Sequence, residues 1–174
     1  MKILRNISAK CDYLDLPKLT NYNPLNPSFV INNHGLRVIY RGCNYNLRET
    51  GYRFFYGSWT SSVTDNQNYT AEVSLDLKLK QASFLEDRHL RAREEAADGI
   101  QDLKVFRWRG QIYASGSGCN SAPFLRKVSP TRRFSMMLFI IEGSRLEYVA
   151  TLPADQPEEK NWMPWVVDTE LYFL

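Results

Sequence analysis

Side chains able to do acid–base, nucleophilic or metal chemistry are few in this chain and lie far apart. His34 sits in a turn beside Gly35, and His89 sits in a run of charges. Neither accompanies a Gly-x-Ser-x-Gly signature, so a Ser-His-Asp triad has nothing to build on. Cys11, Cys43 and Cys119 show no Cys-x-x-Cys or Cys/His spacing. That pattern offers no metal-ligand set and reads as free buried thiols rather than a disulfide framework. Gly116-Ser117-Gly118 lacks the Gly-Lys-Ser/Thr continuation of a phosphate-cradling loop. Three polar groupings remain: Asp102 with Lys104, Arg41 with Asn44 and Tyr45, and Glu159-Lys160-Asn161 ahead of Trp162.

Each grouping has a plain structural reading. Asp102 is a turn residue that bonds local backbone, and Lys104 is a solvated strand residue. Arg41, Asn44 and Tyr45 form a polar strand end, and Trp162 is a core ring. Arg88, Arg91 and Arg93 alternate with acids and read as a solvated face, while Arg126-Lys127 and Arg132-Arg133 flank Pro130 in a surface loop.

The elements that must position these groups follow from composition and pattern. The 174 residues make room for one domain. With 44% hydrophobic and 24% charged residues, a disordered chain, a collagen-like chain and a coiled coil are excluded. Aromatics at 13% favour β structure and suit stacking on sugars or bases. A net charge of +3, with both signs interspersed, gives no reason to expect a nucleic-acid or membrane surface. Met1-Lys2-Ile3-Leu4-Arg5-Asn6 puts charge where a secretion signal needs apolar residues, and Met136 to Ile141 is far short of a membrane span. The expectation is a soluble, cytoplasmic protein. Asn6-Ile7-Ser8 and Asn68-Tyr69-Thr70 match the glycosylation acceptor pattern, which has no meaning inside a cell.

Strand grammar recurs throughout. Phe29-Val30-Ile31 and Leu36 to Arg41 flank a turn at Asn32-Asn33-His34-Gly35, and Gly51 to Trp59 continues in the same style. Thr70 to Lys80 alternates, with Val73, Leu75, Leu77 and Leu79 on one face, and predicts a half-buried strand. Leu103 to Trp108, Phe134 to Ile141 and Trp165-Val166-Val167 each lead through a short turn into a second strand. Leu85 to Ala97 alone favours helix by propensity, with Gly99 to end it and no continuous apolar stripe. Three of the hairpins look like copies, opening at Asn26-Pro27, Asp102-Leu103 and Met163-Pro164 and returning through Tyr40, Tyr113 and Tyr172. A recurring strand-turn-strand unit in an all-β chain predicts a β-propeller.

The blocks Asn26-Pro27-Ser28-Phe29, Arg41 with Asn44-Tyr45, Gly99-Ile100-Gln101-Asp102-Leu103-Lys104 and Glu159-Lys160-Asn161-Trp162-Met163-Pro164 stand in that order along the chain. In this they resemble the five-bladed β-propeller glycosidases, in particular the branch around glycoside hydrolase family 130, the mannoside phosphorylases and their relatives. The resemblance covers roughly residues 24 to 174, and Glu-Lys-Asn-Trp is its most specific part. At the second blade Gln101, Leu103 and Lys104 stand where the family has Glu, Pro and Arg. The resemblance implies a carbohydrate-active protein that cleaves or phosphorolyses glycosidic bonds. Asp102 would be the proton donor, with Arg41, Asn44, Tyr45, Lys104, Lys160, Asn161 and Trp162 lining the sugar site. It implies no metal or cofactor, with inorganic phosphate as co-substrate if the reaction is phosphorolysis. The Lys104 and Gln101 departures weaken phosphate holding and a two-carboxylate mechanism, which keeps a non-catalytic glycan-binding propeller, or a β-scaffold for protein partners, as alternatives.

A five-bladed ring needs roughly 250 to 350 residues. The expectation is therefore about half a ring, roughly two and a half blades of antiparallel strands. It forms one incomplete domain over residues 1–174 with a lead-in over 1–23. The partners expected are a carbohydrate and, through open sheet edges, other copies of the chain; neither nucleic acid nor a membrane is among them.

Overall fold

Period-two alternation and turn residues dictate strands and tight hairpins, because β-branched and aromatic side chains pack on a half-buried pleated surface. The computed structural model describes residues 16–17, 22–47, 53–55, 66–90, 99–119, 134–153 and 162–174. Among them every regular element is a strand except one turn of 3-10 helix, Arg88–Leu90. The strands are β1 (Asn23–Asn32), β2 (Gly35–Cys43), β3 (Tyr45–Leu47), β4 (Arg53–Phe55), β5 (Asn66–Val73), β6 (Leu79–Leu85), β7 (Ile100–Trp108), β8 (Gln111–Cys119), β9 (Phe134–Glu142), β10 (Arg145–Thr151), β11 (Pro164–Val167) and β12 (Glu170–Phe173).

All pairings between strands are antiparallel. Sheet 1 has the order β1-β2-β5-β6, with the small β3–β4 hairpin between β2 and β5 in sequence. Sheet 2 is the meander β7-β8-β9-β10, and β11–β12 form a third, two-stranded unit. The fold is thus all-β and antiparallel, and the described sheets do not close into a ring. No helix of the described residues is long and apolar enough to cross a membrane.

Two features depart from the sequence reading. Thr70 to Lys80 is two strands joined by a turn: Ser74 N–H donates to Lys78 O at 2.9 Å, and Leu77 takes φ 60. Lys78 at 2.7 Å, together with Ser74, pulls the Asp76 carboxyl down to about 2. These local bonds stop the strand after Val73, so Leu75 and Leu79 are exposed and only Val73 of the apolar set is buried. At Leu85 the helical propensity loses to burial: Leu85 closes β6 in the core, and the 3-10 turn follows. Residues 91–97, the remainder of that predicted helix, lie outside the described residues.

The core is layered. Val30, Ile39 and Leu85 of sheet 1 pack with Leu103, Val105, Ala114, Met137, Phe139 and Leu146 of sheet 2. The other face of sheet 1 buries Val38, Tyr40, Ala71 and Val73, with Leu16 against them. On the far face of sheet 2, Phe106, Met136, Leu138 and Tyr113 pack with Val166, Leu171 and Phe173 of the third unit. The Trp108 indole N–H donates to Thr169 O at 2.8 Å and pins that unit's turn. The outer edges of sheets 1 and 2 are also stitched: Glu86 N–H donates to Ser144 O at 2.7 Å, and Leu146 N–H donates to Glu86 O at 2.9 Å.

One glycine is dictated by close approach. Gly35 opens β2 at φ 148, and a Cβ there would lie 2.0 Å from Val73 O, a backbone atom that cannot yield. Gly110 in the β7–β8 turn has φ 77 but open space around it. Gly35→Ala is therefore expected to cost about 2–4 kcal/mol, against about 1–2 for Gly110→Ala, where only the left-handed backbone is penalised. Denaturant titration of both variants checks the order; equal losses would contradict it.

Candidate functional site

β1 and β7 are built alike. Each pairs regularly with its neighbour and then slips register, β1 between Leu25 and Ser28 and β7 between Gln101 and Lys104. The bulge residues Asn26 and Asp102 take φ 50 and φ 55. Asn and Asp are the non-glycine residues that best tolerate this left-handed conformation, which is why they stand at these openings. Pro27, lacking an N–H, could not have continued the ladder there. Opposite the second bulge, Gly116 leaves room: a Cβ on it would come 2.8 Å from Leu103 Cδ2 and 3.0 Å from Gln101 O.

The two bulges meet. Asn26 Nδ2 donates to Asp102 Oδ1, and Arg41 Nη1 lies 3.3 Å from the same oxygen. The Arg41 side chain is 8% exposed and that of Asp102 16%. Ser28 Oγ accepts from Val105 N–H at 2.9 Å, fixing β7 alongside β1. Deeper in, Asn68, the β5 residue paired with Arg41, donates through Nδ2 to Ile100 O at 2.9 Å and to Asp87 Oδ2 at 3.1 Å. Asn68 and Asp87 are fully buried. The result is a polar seam running from sheet 1 into the start of β7.

The seam leaves bonding capacity unspent. Arg41 Nε is buried with no hydrogen-bond partner. The hydrogen bond from Asn26 and the ion pair with Arg41 both fall on Asp102 Oδ1, leaving Oδ2 for a hydroxyl or other donor. A carboxylate with one oxygen fixed and one presented, beside a guanidinium, is suited to reading neutral polyhydroxylated molecules, whose hydroxyls both donate and accept.

Of the residues singled out from sequence, Asp102 and Arg41 are brought together. Lys104 is half-buried directly after the bulge, paired with Ser115 of β8. Asn44 is half-buried at the end of β2. Trp162 is half-buried and packs against the layer between sheet 2 and the third unit, its ring 6.2 Å from that of Phe173. Tyr45 lies in β3, its side chain outside the description, and Lys160 and Asn161 lie outside the described residues, as does most of the 1–23 lead-in. Cys43 is buried, and its thiol donates to Asn23 O at 3.8 Å. Asn68, although in an acceptor tripeptide, is buried in mid-strand and closed to glycosylation.

Three contributors escaped the sequence reading as site residues: Asn26, Asn68 and Asp87. The signal for Asn26 was present, since it opens its hairpin as Asp102 does. Nothing local marks Asn68 or Asp87, whose roles arise only when β5, the 3-10 turn and β7 are adjacent. The described residues contain no group of His, Cys, Asp and Glu arranged to hold a metal ion. No family model, curated protein or solved structure matches this chain.

Removing one partner of a buried ion pair strands the other. Asp102→Ala is expected to destabilise by about 2–3 kcal/mol, discounted from the fully buried case because the carboxyl is partly exposed. Arg41→Met combined with Asp102→Ala should restore much of the loss. A double-mutant cycle by urea titration measures the coupling, and strictly additive losses would show that the pair is not an energetic unit.

Proposed function

We propose that this chain is a carbohydrate-active protein of the five-bladed β-propeller type, with the sheets as blades, acting on glycosidic bonds at the junction of β1 and β7. The observation that carries this reading is the meeting of Asn26, Arg41 and Asp102, which comes from equivalent opening positions in two sheets. Two four-stranded meanders followed by a third unit starting the same way support the propeller form. In this reading Asp102 acts in its protonated form, giving up its ion pair with Arg41, and delivers that proton through Oδ2 to the glycosidic oxygen. The bond from that oxygen to the anomeric carbon breaks, its electron pair staying on the oxygen, and phosphate attacks the carbon, or water attacks it and releases a proton to solvent. Arg41 and Asn26 hold the carboxyl in place, and Lys104 sets the polarity of the adjoining surface.

A second reading is favoured by one specific feature. Both donors converge on Asp102 Oδ1, an arrangement that suits a fixed hydrogen-bond acceptor for a bound sugar as well as it suits an acid. Glycan binding without turnover is the function that follows.

Asp102→Asn separates them. Mannose-containing oligosaccharides are offered to wild-type and variant protein, with and without inorganic phosphate, and binding is followed by calorimetry and cleavage by product chromatography. Turnover that falls about 10²- to 10⁴-fold in kcat in the variant, assayed at a temperature where circular dichroism shows it folded, is the expected result for a general acid. Wild-type binding that never leads to product identifies a binding module. Neither binding nor turnover by wild type would reject the carbohydrate reading altogether.

A further inference from the structure

The three units repeat in register, and the repeat says which face of each must be covered. Turn-flanking positions align as Asn32, Trp108 and Val167, each the last residue before its hairpin turn. Two positions earlier stand Val30, Phe106 and Trp165, paired across the hairpin with Arg37, Tyr113 and Tyr172. This is the forward face. In sheet 1 it is covered by sheet 2, with Val30 packing among Leu103, Val105 and Ala114. In sheet 2 it is covered by the third unit, with Phe106 and Tyr113 packing against Val166, Leu171 and Phe173. In the third unit it is open: Trp165 is 56%, Tyr172 51%, Met163 53% and Leu174 75% exposed.

The opposite, rear face follows the same rule. Val105 and Val166 face backwards onto the preceding sheet. Their counterparts in β1 are Phe29 and Ile31, which pair with Val38 and Leu36 on the rear of sheet 1. Over β2 and β5 that rear face is covered, but Phe29 is 61% and Ile31 62% exposed. The first strands of successive units adjoin: β1 is fixed to β7 through Ser28 and Val105, and β7 to the third unit through Trp108 and Thr169. The strand left open at the rear is thus the one that would receive the next unit in line.

We infer that two copies of this chain associate head to tail. The Trp165 and Tyr172 face of one packs on the Phe29 and Ile31 face of the next, continuing the interface that already joins its own sheets. The occupant is a second copy because the chain carries both halves of that interface, each apolar and each open. Exposed aromatic faces of this kind mark association surfaces. The contact is heterologous, so two copies that exchange it form a ring and copies that do not close form a longer array.

The test uses Trp165→Glu and Phe29→Glu, with Tyr172→Glu as a second forward-face variant and circular dichroism to confirm that each folds. Mass is measured by light scattering after size exclusion. Wild type is expected at a mass of at least two copies of the 20.3 kDa chain, and each variant alone as a monomer. An equal mixture of Trp165→Glu and Phe29→Glu should form a heterodimer, because one intact forward face then meets one intact rear face. A monomeric wild type overturns the inference. So does loss of association in Trp165→Glu but not in Phe29→Glu, which would indicate a forward-to-forward dimer. Failure of the folded mixture to form the heterodimer overturns it as well.

Discussion

The arrangement of the first two sheets hangs on a buried polar seam at the start of β7. Asn68 holds both Asp87 and the carbonyl of Ile100, and two residues further along β7 Asp102 meets Arg41 and Asn26. Apolar layers can slide past one another at little cost, since dispersion and burial are weakly directional. Buried amides and carboxylates cannot slide, because each lost partner leaves a desolvated group unpaired. The seam therefore sets where sheet 2 sits on sheet 1, and the packing of Val30, Ile39, Leu103 and Ala114 follows from it.

The bulges connect this constraint to the chemistry. A regular strand would have pointed residues 26 and 102 alternately to the two faces of their sheets. The extra residue in each strand, with its left-handed backbone, turns both side chains towards the same junction. Gly116 permits the second bulge by leaving the space that a side chain would fill. The result is a cation and a carboxyl held in register with bonding capacity to spare, Arg41 Nε buried and Asp102 Oδ2 unengaged.

The repeat also explains an uneven surface. Isolated exposed apolar residues are ordinary in any protein. Here five of them, Met163, Trp165, Val167, Tyr172 and Leu174, belong to one two-stranded unit. They occupy the positions whose counterparts in the preceding sheets are packed. On the opposite face of the same unit Val166, Leu171 and Phe173 pack against sheet 2, so one side of this hairpin is covered and the other is exposed.

The sequence by itself determined the strands and turns: Trp108 to Gln111 and Val167 to Glu170 flank tight turns where the pattern places them. It also marked the three hairpin openings as copies, because period-two alternation and turn chemistry are local properties; Arg41 and Asp102 were singled out by the family resemblance, local pattern reading them as a strand end and a turn. Local pattern misjudged Thr70 to Lys80, where a Ser74–Lys78 turn held by its own side chains overrode an unbroken alternation. It also could not see Leu85, whose burial decides its strand. Tertiary structure alone decided that Asn26 lies against Asp102, that Asn68 reaches Asp87 and Ile100, and that Trp162 packs into a core layer. These contacts join residues distant in sequence, such as Asn26 and Asp102, through sheet-on-sheet packing. Their geometry is set by the bulges and by the need to satisfy buried polar groups, neither of which leaves a periodic trace in the chain.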